Sequence, residues 1–272
     1  MLKSRVITAI ILLALFLSAL FFLPATAWTA LVLLMVMQAT TEWSKLAKLA
    51  GIKAKIYWAI TLLIMFAIVW VDTHAAVGGS VHLLFYTISA LLWLLIVPTW
   101  MIASWKVNQP WLMALVGWAV IIPLGLAMLD LRAMSPWLLL FIMGLVWVAD
   151  SAAYFAGRKF GKRKLAPSIS PGKTWEGVMG AMLGVSCYVI LVWTLSPSLS
   201  HTAMLPTLLL AAWWWVGLAV IGDLFESAIK RQAGVKDSGA LLPGHGGLLD
   251  RIDALTSTLP LAALVILLQH LH

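Results

Sequence analysis

Long apolar runs fill most of the chain, and short polar segments separate them. A helix needs about 20 apolar residues to cross a bilayer, and about nine runs approach that length. The predicted spans are residues 6–23, 26–41, 56–71, 82–104, 111–129, 136–156, 175–195, 204–224 and 253–271. The pattern therefore predicts an all-α, polytopic integral membrane protein.

Composition supports the same class of protein. Hydrophobic residues make up 63% of the 272 residues and charged residues 10%, whereas a soluble domain carries about 25% charged residues. We expect the net charge of +8 to mark the cytoplasmic side of a membrane rather than a nucleic-acid partner. Within the spans, Cys187 is expected to be a small buried residue, and the tryptophans at 213–215 are expected to serve packing.

The basic residues define an orientation for the predicted spans. If the N-terminus is cytoplasmic, every lysine and arginine except Arg132 falls in a cytoplasmic segment, as the positive-inside rule requires. Two long polar segments, 157–174 and 225–252, then lie on the same cytoplasmic face. We divide the chain into spans 1–5 (1–135) and spans 6–9 (136–272), and the second region carries both polar segments.

Candidate chemistry begins around the first polar segment. Asp150, Tyr154 and Arg158 are four residues apart and share one helical face. A charge within a bilayer costs roughly 2.5–3.5 kcal/mol, so Asp150 at the end of an apolar run is expected to be paired or functional. The "SPGKT" turn, 170–174, places lysine, hydroxyl and backbone N–H donors before a helix and suits an anion. The alternative is a basic loop that touches anionic lipid headgroups.

Two further stretches add carboxylates to the same face. "IGDLFESAIKRQ" places four polar side chains on one helical stripe, namely Asp223, Glu226, Ser227 and Lys230. The alternative interpretation of this stripe is a helix end that is exposed to water. "PGHGGLLDRID" combines glycines, which expose backbone N–H groups to anions, with Asp250 and Asp253 on one helical face. Magnesium is usually held by one or two carboxylates together with substrate phosphates, so these stretches predict a polyphosphate and metal site.

Other charged residues receive structural interpretations. Glu42 closes the second span beside Lys45 and Lys48, and we expect an ion pair at the helix end there, the alternative being that Glu42 reaches the site. Arg132 and Asp130 are expected to pair at the outer face of the membrane.

The second half of the chain resembles the phosphatidate cytidylyltransferases, also called CDP-diacylglycerol synthases. The shared pattern is S-x-x-K-R-x4-K-D-x-G-x2-L-P-x-H-G-G-x2-D-R-x-D, and it is matched at every fixed position from Ser227 to Asp253. The stretch from Asp150 to Gly177 resembles a second common block of that family. The N-terminal spans are too generic to add weight.

The resemblance implies a reaction and its cofactors. CTP and phosphatidic acid would give CDP-diacylglycerol and pyrophosphate, a step of phospholipid biosynthesis. Magnesium would be held by Asp223 and Asp250, and potassium would be a second cation. As our own hypothesis, Glu226 and Asp253 are further or alternate ligands of the magnesium. The resemblance also implies a bacterial inner-membrane homodimer surrounded by membrane lipids, with its active site facing the cytoplasm.

The residues of this site are predicted in two groups. The catalytic residues are Asp223, Asp250, Lys230 and Arg231. The substrate-binding residues are Asp150, Ser151, Tyr154, Ser170, Lys173, Thr174, Glu176, Ser227, Lys236, Asp237, His245, Gly246, Gly247 and Arg251. His245 either donates to a phosphate or only orders its loop. The alternative functions are a CTP-dependent lipid kinase and a membrane transporter, although a transporter usually carries paired repeats and charges near the midplane.

Overall fold

The computed structural model describes residues 2–74, 78–196, 204–241 and 246–269. Its helices are α1 (Leu2–Phe22), α2 (Ala25–Leu46), α3 (Ile52–His74), α4 (Gly78–Leu91), α5 (Val97–Ile102), α6 (Pro110–Met134), α7 (Pro136–Phe160), α8 (Trp175–Leu195), α9 (Leu205–Ala233) and α10 (Leu249–Gln269). A π-helical turn, Leu92–Ile96, joins α4 to α5. An antiparallel hairpin of β1 (Lys164–Ala166) and β2 (Ser170–Thr174) follows α7. The first polar segment is therefore a short hairpin rather than an irregular loop.

Seven helices in the described part of the chain are long and apolar enough to cross a membrane. They are Ile52–His74, Gly79–Ile102, Pro110–Met134, Pro136–Phe160, Trp175–Leu195, Leu205–Ala233 and Leu249–Gln269. The first helix adds a shorter apolar stretch, Ile10–Phe22, and α2 ends in a polar segment that includes Gln38, Glu42 and Lys45. The prediction of a helical, polytopic membrane protein is thereby confirmed.

Helices α6 and α10 form the centre of the bundle. In each, 61% of the apolar span is buried, compared with 22% in α3 and 17% in α8. The inner helices pack against α2, α4 and α9, while α3 and α8 present most of their surface outward, as lipid-facing helices do. The end of α9 and the start of α10 that carry the predicted site residues therefore belong to, or pack against, the most buried helices of the bundle.

The outward orientation of α8 and part of α9 corrects two sequence-based expectations. Cys187 on α8 is exposed rather than buried. Trp213 and Trp214 on α9 are 42% and 57% exposed, and the indole N–H of Trp213 donates to Ser186 Oγ at 2.9 Å. Trp215 does pack against the core, as expected. Apolar runs do not show which side of a span faces lipid, because the lipid and the protein interior are both apolar.

The charged residues at the end of the bundle near Arg132 pair differently from the prediction. Asp130 does not pair with Arg132: its Oδ2 accepts from Tyr86 at 2.6 Å and lies 2.7 Å from His82 Nδ1. The other imidazole nitrogen lies 3.1 Å from Asp72 Oδ2. We call these four residues the Asp130 cluster, and it connects α3, α4 and α6.

Arg132 instead secures the end of α1. Its guanidinium donates to the carbonyl oxygens of Leu20 and Leu23 and lies 4.9 Å from the ring centre of Trp28. These contacts satisfy carbonyls that have no partner at a helix C-terminus.

The Asp130 cluster generates a stability prediction. Asp130→Leu leaves the Tyr86 hydroxyl and one side of His82 without an acceptor, and an unsatisfied buried polar group costs about 1–3 kcal/mol. We expect a lower melting temperature in detergent, measured by tryptophan fluorescence. The control is Thr87→Ala, whose exposed hydroxyl donates to Leu83 of the same helix. Equal melting temperatures for the two variants would contradict the cluster's role.

Candidate active site

A cavity of about 480 Å³ lies where α7, α9 and α10 meet the hairpin. This volume falls within the range of small-molecule sites, roughly 300–1,000 Å³. Its charged and polar lining consists of Asp150, Asp223, Asp250, Asp253, Arg158, Lys173, Arg251, Tyr154, Ser170 and Thr174. The structure therefore brings together many of the residues that the sequence singled out, from segments more than 100 positions apart.

The close approach of α9 and α10 places two of the carboxylates side by side. A Cβ at Gly222 would overlap Ser257 Oγ and the backbone of Asp253, so only glycine permits this distance. Ser257 also donates to the carbonyl of Leu218 at 2.8 Å. Asp223 and Asp253 consequently line one cavity from adjacent helices.

The hairpin brings a cation to the cavity. The Thr174 hydroxyl accepts from the N–H of Gly177 at 3.1 Å and so caps the N-terminus of α8. The preceding residue, Lys173, then lies with its Nζ 2.6 Å from Asp223 Oδ2. Their side chains are 22% and 31% exposed, so water only partly weakens the attraction. A cation or phosphate in the cavity would therefore lie next to the Lys173–Asp223 ion pair.

Negative charge is concentrated at the same place. Asp253 interacts electrostatically with Glu226, Asp223 and Asp150, and Asp150 interacts with Asp223 and Lys173. Carboxylates so close together repel one another, and a bound cation would relieve that repulsion. Among the residues the structure describes, no three His, Cys, Asp or Glu side chains form a ready-made metal site.

Asp250 is held by protein donors on both oxygens. Its Oδ1 lies 2.5 Å from Lys230 Nζ. Its Oδ2 accepts from the backbone N–H groups of Ser238 and Gly247 at 2.9 and 2.8 Å, and the Ser238 hydroxyl lies at 3.1 Å. A carboxylate offers about four acceptor positions, so Asp250 has little capacity left for a metal in this conformation.

Lys230 is enclosed rather than presented to the cavity. Its side chain is 12% exposed and lies between Asp250 and Glu226, whose Oε1 is 3.1 Å away. Both carboxylates are more than nine-tenths buried. A buried ammonium needs such counter-charges, and this requirement explains why it points inward from the predicted stripe.

Three other predicted residues stabilise the surroundings of the cavity. The Arg231 guanidinium is 3.5 Å from the carbonyl of Ile169 in the hairpin turn. Glu176 accepts from the N–H of Arg163 at 3.1 Å, just before β1. Ser227 donates to Asp223 Oδ1 at 3.4 Å.

The remaining predicted residues divide into three groups. Ser151, Lys236 and Asp237 are exposed and lie outside the cavity lining. Gly246 precedes Gly247 at the start of α10 and has a φ of 82°, a left-handed conformation that favours glycine. His245 lies outside the described residues.

Glu42 reaches this region from α2, although the sequence favoured an ion pair with Lys45 and Lys48. That expectation is wrong: Glu42 is fully buried and accepts from the N–H groups of Leu248 and Leu249, both at 2.9 Å. Its position at the end of an apolar run marked it for attention, but its partners lie 206 and 207 positions away. Arg158 likewise lines the cavity, and its spacing from Asp150 was the signal for it.

Known proteins resemble the chain over most of its length. The sequence profile described as the cytidylyltransferase family matches residues 3–269. A phosphatidate cytidylyltransferase of Haemophilus influenzae is 37% identical over 280 residues, covering 96% of each chain. One of Pseudomonas aeruginosa is 38% identical over 266 residues, covering 97% of this chain and 96% of its own. Another, of Thermotoga maritima, is 44% identical over 128 residues, or 46% of this chain and 47% of its own.

The enclosure of Lys230 predicts a large effect on stability. Lys230→Met leaves Glu226 and Asp250 without their shared cation, and breaking a buried ion pair in this way costs about 3–5 kcal/mol. We expect a clearly lower melting temperature in detergent, and Glu226→Gln in the same chain should restore part of it by removing one unpaired charge. The control is Lys53→Met, at an exposed position. A Lys230→Met variant as stable as the control would show that Lys230 does not neutralise these carboxylates.

Proposed function

The chain belongs to the cytidylyltransferase family, and from this premise we propose that it transfers CMP from CTP to phosphatidic acid. The products are CDP-diacylglycerol and pyrophosphate, and the expected family is confirmed. The observation that carries the proposal is the cavity in which Asp150, Asp223 and Asp253 face Lys173 and Arg158. Carboxylates for a divalent cation and cations for phosphates meet there at one end of the helices, as joining two polyanions requires.

The reaction requires the protein to position two phosphates and to stabilise the leaving group. A phosphate oxygen of phosphatidic acid attacks the α-phosphorus of CTP, and the bond to the bridging oxygen breaks to release pyrophosphate. The attacking oxygen is already anionic, so no strong base is needed. The cations of Lys173, Arg158 and Arg251 would hold the phosphates in line and offset the charge that develops on the leaving group. The hydroxyls of Ser170 and Thr174 lie in the same lining.

We propose magnesium as the cofactor of this cavity. Asp223 and Asp253 offer the hard oxygen donors that magnesium prefers, and their mutual repulsion favours a cation. Asp250 and Glu226 are bound to Lys230, so they would become ligands only after that contact rearranges. When bound, magnesium would neutralise charge on the CTP phosphates. Potassium is proposed as a second cation from the family resemblance alone.

The two substrates reach the cavity from different phases. Its apolar lining includes Ala153, Leu165, Val178 and Val220, which suits the glycerol and acyl portion of a lipid. Tyr154 and Ser151 would lie near the cytosine or the headgroup. Further proposed contacts with substrate phosphates are Arg231, Lys236, Asp237, His245 and the Gly246–Gly247 backbone.

We also propose nine spans with a cytoplasmic N-terminus, because α1 and α2 would add two to the seven helices described above. Contacts between distant segments support one common cytoplasmic end. Gln232 exchanges hydrogen bonds with the backbone of Val107 at 3.2 and 2.5 Å, and Glu42 holds the start of α10.

The bacterial relatives fit an inner-membrane location. We also propose a homodimer, on the basis of the family resemblance. The division of the chain at residue 135 is proposed from the sequence.

The loss of one carboxylate tests the proposed activity. Purified protein with phosphatidic acid, CTP and magnesium should form CDP-diacylglycerol, and Asp223→Asn should lower kcat/KM by about 100-fold or more, because a preorganised charge is lost. The matched control is Asp72→Asn, in the Asp130 cluster, which should remain active. Full activity in Asp223→Asn at an unchanged melting temperature would contradict the assignment of Asp223.

Cysteine labelling tests the proposed orientation. In a Cys187→Ala background, Lys53→Cys and His74→Cys place a thiol near opposite ends of α3. A membrane-impermeant maleimide added to spheroplasts should label the variant at position 74 and leave the one at position 53 unlabelled until the membrane is permeabilised. The reverse pattern would place the cavity on the outer face.

A further inference from the structure

Glu42 occupies an unusual environment for a carboxylate at the end of a membrane helix. It is fully buried, and both oxygens accept two hydrogen bonds. Oε1 accepts from Gln38 Nε2 at 2.8 Å and from the N–H of Leu248 at 2.9 Å. Oε2 accepts from the Ser238 hydroxyl and the N–H of Leu249, both at 2.9 Å. A single side chain of α2 therefore secures the first turn of α10 and the segment before it.

The partners of Glu42 suit a group that accepts hydrogen bonds. Three of the four are N–H donors, and the fourth, the Ser238 hydroxyl, can donate or accept. The N–H groups belong to the start of α10, where the helix dipole also favours negative charge. Glutamine has the same shape, but its NH2 group would face the backbone N–H of Leu248 or Leu249, which can only donate.

The same segment holds Asp250. The N–H groups of Ser238 and Gly247 donate to Asp250 Oδ2, and the Ser238 hydroxyl lies 2.9 Å from Glu42 and 3.1 Å from Asp250. That hydroxyl carries one hydrogen, so it can donate to only one carboxylate at a time. Glu42 and Asp250 thus hold opposite sides of one short piece of backbone.

The fit around Glu42 leaves little space for a side chain at the two glycines that flank it. A Cβ at Gly247 would overlap both Ser238 Oγ and the Glu42 carboxylate. At Gly239 a Cβ would lie only 3.0 Å from Glu42 Cδ. Two glycines of the family pattern are therefore matched to a residue that lies outside that pattern, on α2.

We propose that Glu42 is a positioning residue for the transfer reaction, which rests on the proposed function. By fixing Ser238, Gly247 and the first turn of α10, it sets the position of Asp250 and Asp253 relative to Asp223. The N-terminal half of the chain is therefore not only a membrane anchor, because it supplies a carboxylate on which the geometry of the cavity depends. Groups that orient the residues of a metal site typically contribute 10–100-fold to activity.

Glu42→Gln tests this proposal with two readouts. We expect kcat to fall by about 10–100-fold with a smaller change in the KM for CTP. Hydrogen–deuterium exchange should accelerate in the peptide that covers residues 246–254, because the single glutamine oxygen can accept from only one of the Leu248 and Leu249 amides. The matched control is Thr40→Val, on the same helix and equally buried, whose hydroxyl donates to Val36. It should change neither kcat nor exchange in that peptide.

Ser238→Ala keeps the test decisive if Glu42→Gln folds poorly. This variant removes the shared hydroxyl and leaves the backbone N–H, so we expect a fall in kcat near the lower end of that range, about 10-fold. The effect of Glu42→Gln should then be smaller in the Ser238→Ala background than in the wild-type chain, because the two residues act through the same segment.

The outcomes separate this inference from the proposed function. An active wild-type protein in which Glu42→Gln and Ser238→Ala leave kcat and exchange unchanged would overturn the role of Glu42 alone. If the wild-type protein forms no CDP-diacylglycerol while exchange still accelerates in Glu42→Gln, the proposed function fails although the contact is real. A melting temperature lowered by Glu42→Gln with kcat of the folded fraction unchanged would reduce Glu42 to a structural residue.

Discussion

Charges buried near the membrane boundary must be neutralised inside the protein, and this constraint shapes the whole cavity. Lys230 lies between Glu226 and Asp250, and Lys173 lies against Asp223. Each cation fixes the position of a carboxylate, and so the helices that carry them are held in one arrangement. The excess of negative charge left among these groups is the property that suits the cavity to a metal ion and a polyphosphate.

The same constraint explains why distant segments meet at the cavity. Glu42 on α2 accepts hydrogen bonds from the N-terminus of α10, and the hairpin brings Lys173 to α9. Gly222 then allows α9 and α10 to approach closely enough for their aspartates to share one space. Stability and chemistry depend on the same contacts here, so substitutions in this region will affect both.

The helices and part of the site were predictable from sequence for clear physical reasons. A long apolar run has few structures open to it other than a membrane helix, and a 3–4-residue spacing puts Asp223 and Glu226 on one face. Periodicity shows which residues share a face of one helix but not which faces meet. The partners of Glu42, the pairing of Asp130 with His82 and the enclosure of Lys230 therefore required coordinates. The ligands of the metal remain a prediction.

The central claim is that this cavity moves CMP, rather than a phosphate group, onto a lipid. Two preparations of CTP, labelled at the α- or the γ-phosphorus, test it most directly when supplied with phosphatidic acid and magnesium. We expect the α-label to enter the lipid and the γ-label to be released in pyrophosphate. Transfer of the γ-label to lipid with release of CDP would identify a kinase and contradict the claim, as would no turnover of either label.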